Sequence, residues 1–328
     1  MKKNLLTESG LRCSKGNEER TMSTTKLARL VTIAVGLVVI TGLVLAQEAR
    51  QPDSHQWKIL FDSMRDGNLE IYIMNPDGSE QKRLTRTPGR DKHSRIPDWS
   101  PNRKKIAFQS NRNDGWKIYV MGANGLNLQP LKGYSNSDGA PAWSPDGKKI
   151  AFVTERNGKG QIRVMNANGS NVQQITQNNS SHYYPTWSPD AKKISFVSDR
   201  DGNWEIYVMY ADGTNVKRLT YTQNQGRGNG GPVWSPDGKK IAFDATRDGN
   251  FEIYVMNSDG SNVKRLTHHE RVDARPAWSP DGKNIVFHST RSSNSDESSE
   301  SEIYVMDSNG NNINRLTFNK VSDAHPDW

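Results

Sequence analysis

The chain has 328 residues, 33% of them apolar, and a single cysteine, Cys13. That composition can build a core but is too polar for a polytopic membrane protein, and one cysteine excludes a disulfide scaffold and any multi-cysteine zinc or iron–sulfur site. The formal charge of +8 invites a nucleic-acid reading, but residues 1–46 carry +4 of it and the other 282 residues carry only +4. A modest excess spread over a long chain gives no basic footprint, so no nucleic-acid partner is expected.

The first element is a leader. Residues 30–46 (LVTIAVGLVVITGLVLA) hold no charge, follow Lys26 and Arg29, and end on the small residue Ala46. This pattern reads as a signal peptide cleaved before Gln47 or as an uncleaved N-terminal membrane anchor. Starting translation at Met22 would give an n-region of ordinary length. Residues 1–46 are thus assigned to targeting, 47–55 to a short linker, and 56–328 to one domain. Cleavage would remove Cys13, which suits an oxidising compartment.

A repeat fills the remainder. The string P-x-W recurs with Trp at 99, 143, 187, 234, 278 and 328, at spacings of 44, 44, 47, 44 and 50. Phe61, Phe108, Phe152, Phe196, Phe243 and Phe287 share this phase. Arg65, Arg112, Arg156, Arg200, Arg247 and Arg291 each stand four residues after one of them. Each unit reads as four strands. Strand a is P-x-W. An S-P-D-G turn follows, with residue types that suit a type I turn position by position. Strand b is K-I-A-F, and a loop of the R-D-G-N kind leads to strand c, E-I-Y-V-M. A D-G or N-G hairpin then opens strand d, V-K-R-L-T. Four-stranded units of this length predict a β-propeller. The chain enters the repeat on a strand b at Trp57–Phe61 and ends on a strand a at Pro326–Trp328. The expected fold is therefore all-β: a six-bladed propeller whose C-terminal strand pairs into the first blade and closes the ring.

The units PAWSPDGKKIAF and TRDGNFEIYVMNSDGSNVKRLT resemble the TolB-type, WD40-like propeller repeat over about 270 residues. The resemblance implies a six-bladed propeller and an exported, periplasmic or cell-envelope location. It also implies protein binding, since the TolB propeller binds the peptidoglycan-associated lipoprotein. TolB carries an α/β domain ahead of its propeller, and here only about ten residues separate the cleavage position from the first strand. Similar repeats occur in prolyl-oligopeptidase-like enzymes and in some polysaccharide lyases. The former need a hydrolase domain, and no G-x-S-x-G occurs in this chain.

Antiparallel order puts the short S-P-D-G and D-G turns on one face and the variable b–c and d–a loops on the other, where function tends to reside. Five residues before each Trp stand Ser94, Asp138, His182, Asn229, Asp273 and Asp323; three before stand Ile96, Ala140, Tyr184, Gly231, Arg275 and His325. Asp138, His182, Tyr183, Tyr184, Asp273, Arg275, Asp323 and His325 are the candidate binding residues at the channel mouth. No metal site, cofactor or catalytic residue is assigned: Asp138 and Asp273 belong to opposite blades, too far apart for one ion, and only Asp273 with Asp323, or Asp138 with His182, are neighbours. The runner-up ligand is a small molecule or peptide end gripped by Arg275, His325 and Tyr183–Tyr184. The favoured function is a monomeric binding module for a protein or polymer of the cell envelope, touching a membrane only through residues 30–46 if these are retained. The alternative is a carbohydrate lyase or hydrolase acting through Asp273, Asp323 and His325. The phased arginines are expected to bond between blades and the phased tryptophans to form core. The inserted loops, Tyr221–Gly231 and Ser292–Ser301, are expected on the variable face.

Overall fold

The computed structural model describes residues 57–89, 92–131, 135–222, 228–292 and 300–328. The leader, Cys13, Met22, and the centres of both inserted loops, 223–227 and 293–299, lie outside the described residues. Among the described residues there is no helix long and apolar enough to cross a membrane.

These residues form six antiparallel sheets of four strands, one sheet per blade. Blade 1 has the order Asp323–Asp327, Ile59–Ser63, Glu70–Met74, Lys82–Arg83, so the C-terminal strand completes the first blade as the repeat phase predicts. Ser63 pairs with Asp323 and Leu60 with Asp327. Strand a of the other blades runs Ser94–Trp99, Asp138–Trp143, His182–Trp187, Asn229–Trp234 and Asp273–Trp278. These six strands line the central channel. Strand d is shorter than its sequence pattern suggests, only two residues in each blade. As the outer edge it carries exposed or half-buried polar residues, Lys or Arg in most blades, which blunt it against pairing with another chain.

The core lies between blades. Six apolar clusters each join one blade to the next, and every cluster contains the phased Trp of the following blade. The seam between blades 1 and 2 packs Leu60, Ile71 and Leu84 against Trp99, Phe108 and Met121. The b and c strands are Val-, Ile- and aromatic-rich because both of their faces meet a neighbouring blade. Asp146, Asp190, Asp237 and Asp281 accept from the Ser and the backbone N–H of their own S-P-D turns, which fixes each a–b hairpin.

The phased arginines meet the expectation of contacts between blades only in part. In blades 1, 2, 4, 5 and 6 each guanidinium lies 4.7–5.6 Å from the ring centres of the Phe and Tyr in its own blade. Polar partners lie in the same blade for Arg65, with Asp323 at 2.6 Å, and for Arg291, with Asp273 at 2.5 Å, whereas Arg112 bonds Ser94 of its own blade at 2.8 Å and also Thr87 Oγ1 of blade 1 at 3.4 Å. The b–c loop folds back over its own strands, so the arginine mainly caps its own blade, and of the contacts above only that of Arg112 with Thr87 crosses to a neighbouring blade as expected.

Candidate functional site

The site starts from a bulge repeated six times. Ile96, Ala140, Tyr184, Gly231, Arg275 and His325 each precede a proline and each have φ between 46° and 56°. In all six strands a the pairing register shifts at this point. The following proline has no N–H to give to the ladder, and a left-handed residue before proline is sterically disfavoured. A bulge re-aims side chains, and here it turns the residue before the proline toward the channel. The bulges surround a central cavity of about 130 Å³.

Four of the six bulges are held from the blade before. The Ile96 N–H donates to Asp62 Oδ2 (3.0 Å), that of Ala140 to Gln109 Oε1 (2.7 Å), that of Arg275 to Asp244 Oδ1 (3.1 Å), and that of His325 to His288 Nδ1 (3.4 Å). All four acceptors occupy one repeat position, directly after the phased Phe. In blades 3 and 4 that position is Val153 and Val197, which offer no side-chain acceptor to Tyr184 or Gly231. The polar clamp is therefore missing at two adjacent seams, and aromatic residues gather there.

The candidate residues separate into two groups. Asp138, His182, Asp273 and Asp323 are fully buried. They stand at the start of strand a with side chains turned into their own blades: Asp138 accepts from Thr154 (2.7 Å), His182 Nε2 meets Asn178 Oδ1 (2.7 Å), and Asp273 and Asp323 hold Arg291 and Arg65. Burial pushes the Asp273 and Asp323 carboxyls up despite their arginines, and burial lowers His182 to about 4. Tyr183, Tyr184, Arg275 and His325 are half-buried at the mouth. The Arg275 guanidinium lies 3.6 Å from the centre of the Tyr184 ring. It belongs to blade 6 and reaches Tyr184 of blade 4 past Gly231 of blade 5, where a Cβ would stand 3.5 Å from Arg275 Cδ.

Further round the rim, His325 Nδ1 lies 3.0 Å from Asp62 Oδ2, and its ring meets that of His288 edge-on at 5.8 Å. Burial, with His325 and Arg275 nearby, keeps His288 well below the ordinary histidine range. Burial raises Asp244, against the pull of Arg275. Two clefts open beside the channel. One, of about 380 Å³, lies between Trp116 and Tyr183, with Arg95 stacked on Trp116 at 4.4 Å. The other, of about 480 Å³, is walled by Tyr183, Tyr184, Trp204, Phe251 and Arg275. Among the described residues no three His, Cys, Asp or Glu gather as a metal site would require.

Sequence reasoning did not single out Trp116, Trp204, Phe251, Asp62, Asp244 or His288. A signal was present, because Trp116, Trp204 and Phe251 share the position just before strand c, and the other three share the position after the phased Phe. Both positions vary while their neighbours repeat.

The arrangement defines a six-bladed β-propeller with an aromatic, arginine-bearing channel mouth. A family model described as the TolB beta propeller domain matches residues 130–228 and 223–328, and the chain belongs to that family. TolB from Acinetobacter baumannii is 25% identical with a TM-score of 0.70, over 84% of this chain and 67% of that one. A protein described as putative TolB from Agrobacterium tumefaciens is 27% identical with a TM-score of 0.62, over 79% of this chain and 88% of that one. Oligogalacturonate lyase from Vibrio parahaemolyticus shares the fold at 15% identity, with a TM-score of 0.53 over 79% of this chain and 73% of that one. No curated protein sequence matches the chain.

Proposed function

We propose that the protein is an exported binding module whose variable face and channel mouth dock a protein or polymer of the cell envelope. The charge-free run at 30–46 and membership of the TolB propeller family support export and an envelope partner. One observation carries the binding reading: Tyr183, Tyr184, Trp204, Phe251 and Arg275 converge, partly exposed, on the face opposite the uniform turns. Large aromatics and arginine dominate the energetics of known interfaces. Capture from envelope extract of the native host should recover a specific partner, and Tyr184→Ala, Arg275→Ala or His325→Ala should each abolish its recovery. Recovery of no partner at micromolar protein, or of one indifferent to all three substitutions, would sink the proposal.

A second reading has its own observation. His325 is held by the Asp62 carboxylate at 3.0 Å, the arrangement of a general base and its orienter. A carbohydrate lyase or hydrolase would use this pair at the mouth. A glycan-degradation screen with His325→Gln as control, alongside metal analysis of the purified protein, decides it; an inactive, metal-free protein ends this reading.

A further inference from the structure

The larger cleft combines three departures from the repeat at the blade 4–5 seam. The polar clamp is replaced by Val197, strand a of blade 5 carries the pair Gly230–Gly231 where every other blade has at least one side chain, and large aromatics precede strand c in both blades. A Cβ at Gly228 would stand 2.8 Å from Trp204 Cβ, and one at Gly231 would stand 2.8 Å from Asp244 Oδ1. These glycines keep the cleft open. Trp204 and Phe251 remain 38% and 37% exposed at its edge, and Tyr183 packs on Trp204 at 5.7 Å. A volume of about 480 Å³ is that of a small-ligand site rather than a polymer groove.

Most polar groups in the wall are already engaged. Asn229 donates to Glu205 and Thr222 and accepts from Arg247. Thr246 Oγ1 accepts from the Gly228 N–H, and Asp244 Oδ1 accepts from the Arg275 N–H. Arg275 is the exception. Its guanidinium lies over the Tyr184 ring and its charge acts on the buried Asp244 carboxylate, yet among the described residues it makes no direct salt bridge and donates no side-chain hydrogen bond. A guanidinium fixed in plane presents paired donors suited to a carboxylate. An aromatic ring needs only the ring faces already present.

We propose that this cleft binds an aromatic ring carrying a carboxylate, with the ring against Trp204, Tyr183 and Phe251 and the carboxylate on Arg275. A free aromatic acid and a peptide ending in an aromatic residue share this chemistry. The inference rests on the reading of the mouth as a binding site and gives one part of it a ligand class. It is tested on purified full-length protein without any envelope partner, so its failure leaves the capture experiment unaffected.

The experiment titrates the protein by calorimetry with N-acetyl-L-tryptophan, with its amide, and with a tripeptide ending in free tryptophan. The acid should bind at least about tenfold more tightly than the amide, and Arg275→Gln should weaken acid binding by about 10- to 100-fold, as loss of charge-assisted hydrogen bonds implies. Trp204→Ala should weaken acid and amide alike. A tripeptide tighter than the acid identifies a chain terminus as the source, and a weaker one identifies a free aromatic acid. Absence of binding by both acid and tripeptide, equal binding of acid and amide, or binding indifferent to Arg275→Gln in a protein of unchanged melting overturns the proposal. Should Arg275→Gln fail to fold, the acid-against-amide comparison on the unsubstituted protein still decides.

Discussion

At Ala140 the backbone sits at φ 47° ahead of a proline, a conformation that disfavours any side chain. Gly231 fills the equivalent place in blade 5, so the bulge itself accepts glycine. Ala140→Gly should therefore stabilise the protein by a few tenths to about 1 kcal/mol, relief of the left-handed penalty outweighing glycine's extra unfolded-state entropy. A higher urea midpoint at unchanged slope would show it. A second residue-scale device is the carboxylate opening strand c. Glu252 is fully buried, accepting from Arg265 at 2.6 Å and from Thr267 Oγ1 at 2.5 Å, and Glu70, Glu205 and Glu302 repeat the arrangement. Glu252→Ala strands these donors and should cost about 2–3 kcal/mol, less than a fully buried pair because the Arg265 side chain is 24% exposed. Glu252→Gln keeps an acceptor and should cost less; equal losses in urea unfolding would refute the pairing as the cause. This clamp was not legible in the sequence. E-I-Y-V-M and K-R-L-T both repeat visibly, but a strand buried on both faces gives no alternation to show where its glutamate points.

Strand a does two jobs, lining the channel and fastening each blade to the next. At the seam of blades 1 and 2, Asp327 accepts from the Trp99 N–H at 2.8 Å, and at the next seam Asp98 accepts from the Trp143 N–H at 2.7 Å. Both carboxyls are raised, Asp98 well above its usual range and Asp327 to about 6, by burial above all; for Asp98 the Asp327 charge adds to it. Among the described residues the cation facing the two acids is Arg103, bonded to the Trp328 carbonyl at 2.6 Å. With a folded value above the unfolded one, Asp327 holds a proton in the native state between about pH 4 and 6 that the unfolded chain lacks. Its contribution is present below that window and is lost as pH rises through about 6. Asp98→Asn keeps the acceptor and leaves one acid for one arginine. It should raise stability at pH 7 by on the order of 1 kcal/mol and reduce the decline between pH 5 and 7. His182 runs the other way: held near 4, it loses stability as pH falls from its unfolded value through that figure. The melting difference between Asp98→Asn and the unsubstituted protein cancels that background, and a pH-independent difference would rule out the acid pair. Turns, strand order and blade count were legible because they repeat. The direction of the side chains opening strand a was not. Asp138, His182, Asp273 and Asp323 share the phase of channel residues, but the bulge two residues later decides which side chains reach the mouth.

Closure is a property of the whole ring. It was legible because a strand b without its strand a at one end of the repeat matched a strand a without its blade at the other. The structure adds that this last strand serves two seams. Trp328 packs with Trp57, Phe61 and Met74 of blade 1 and with Val286, Ile303 and Leu316 of blade 6. Asp327 reaches into blade 2, while Asp323 and His325 bind Arg65 and Asp62 of blade 1. Trp328→Ala empties a largely buried indole and should cost about 3–5 kcal/mol, a fall of about 10 °C in a domain of this size. Deleting 323–328 also leaves the strand b Ile59–Ser63 unpaired at the channel and opens both seams. A ring cannot redistribute that loss, because every blade is supported only by its two neighbours. The deletion should therefore melt at least about 10 °C lower than the intact protein, or fail to fold, with all blades lost in one transition. Calorimetry distinguishes the outcomes: one shifted transition fits a closed cooperative ring, whereas an early transition followed by one at the original temperature would mean that blades 3–5 hold together without closure.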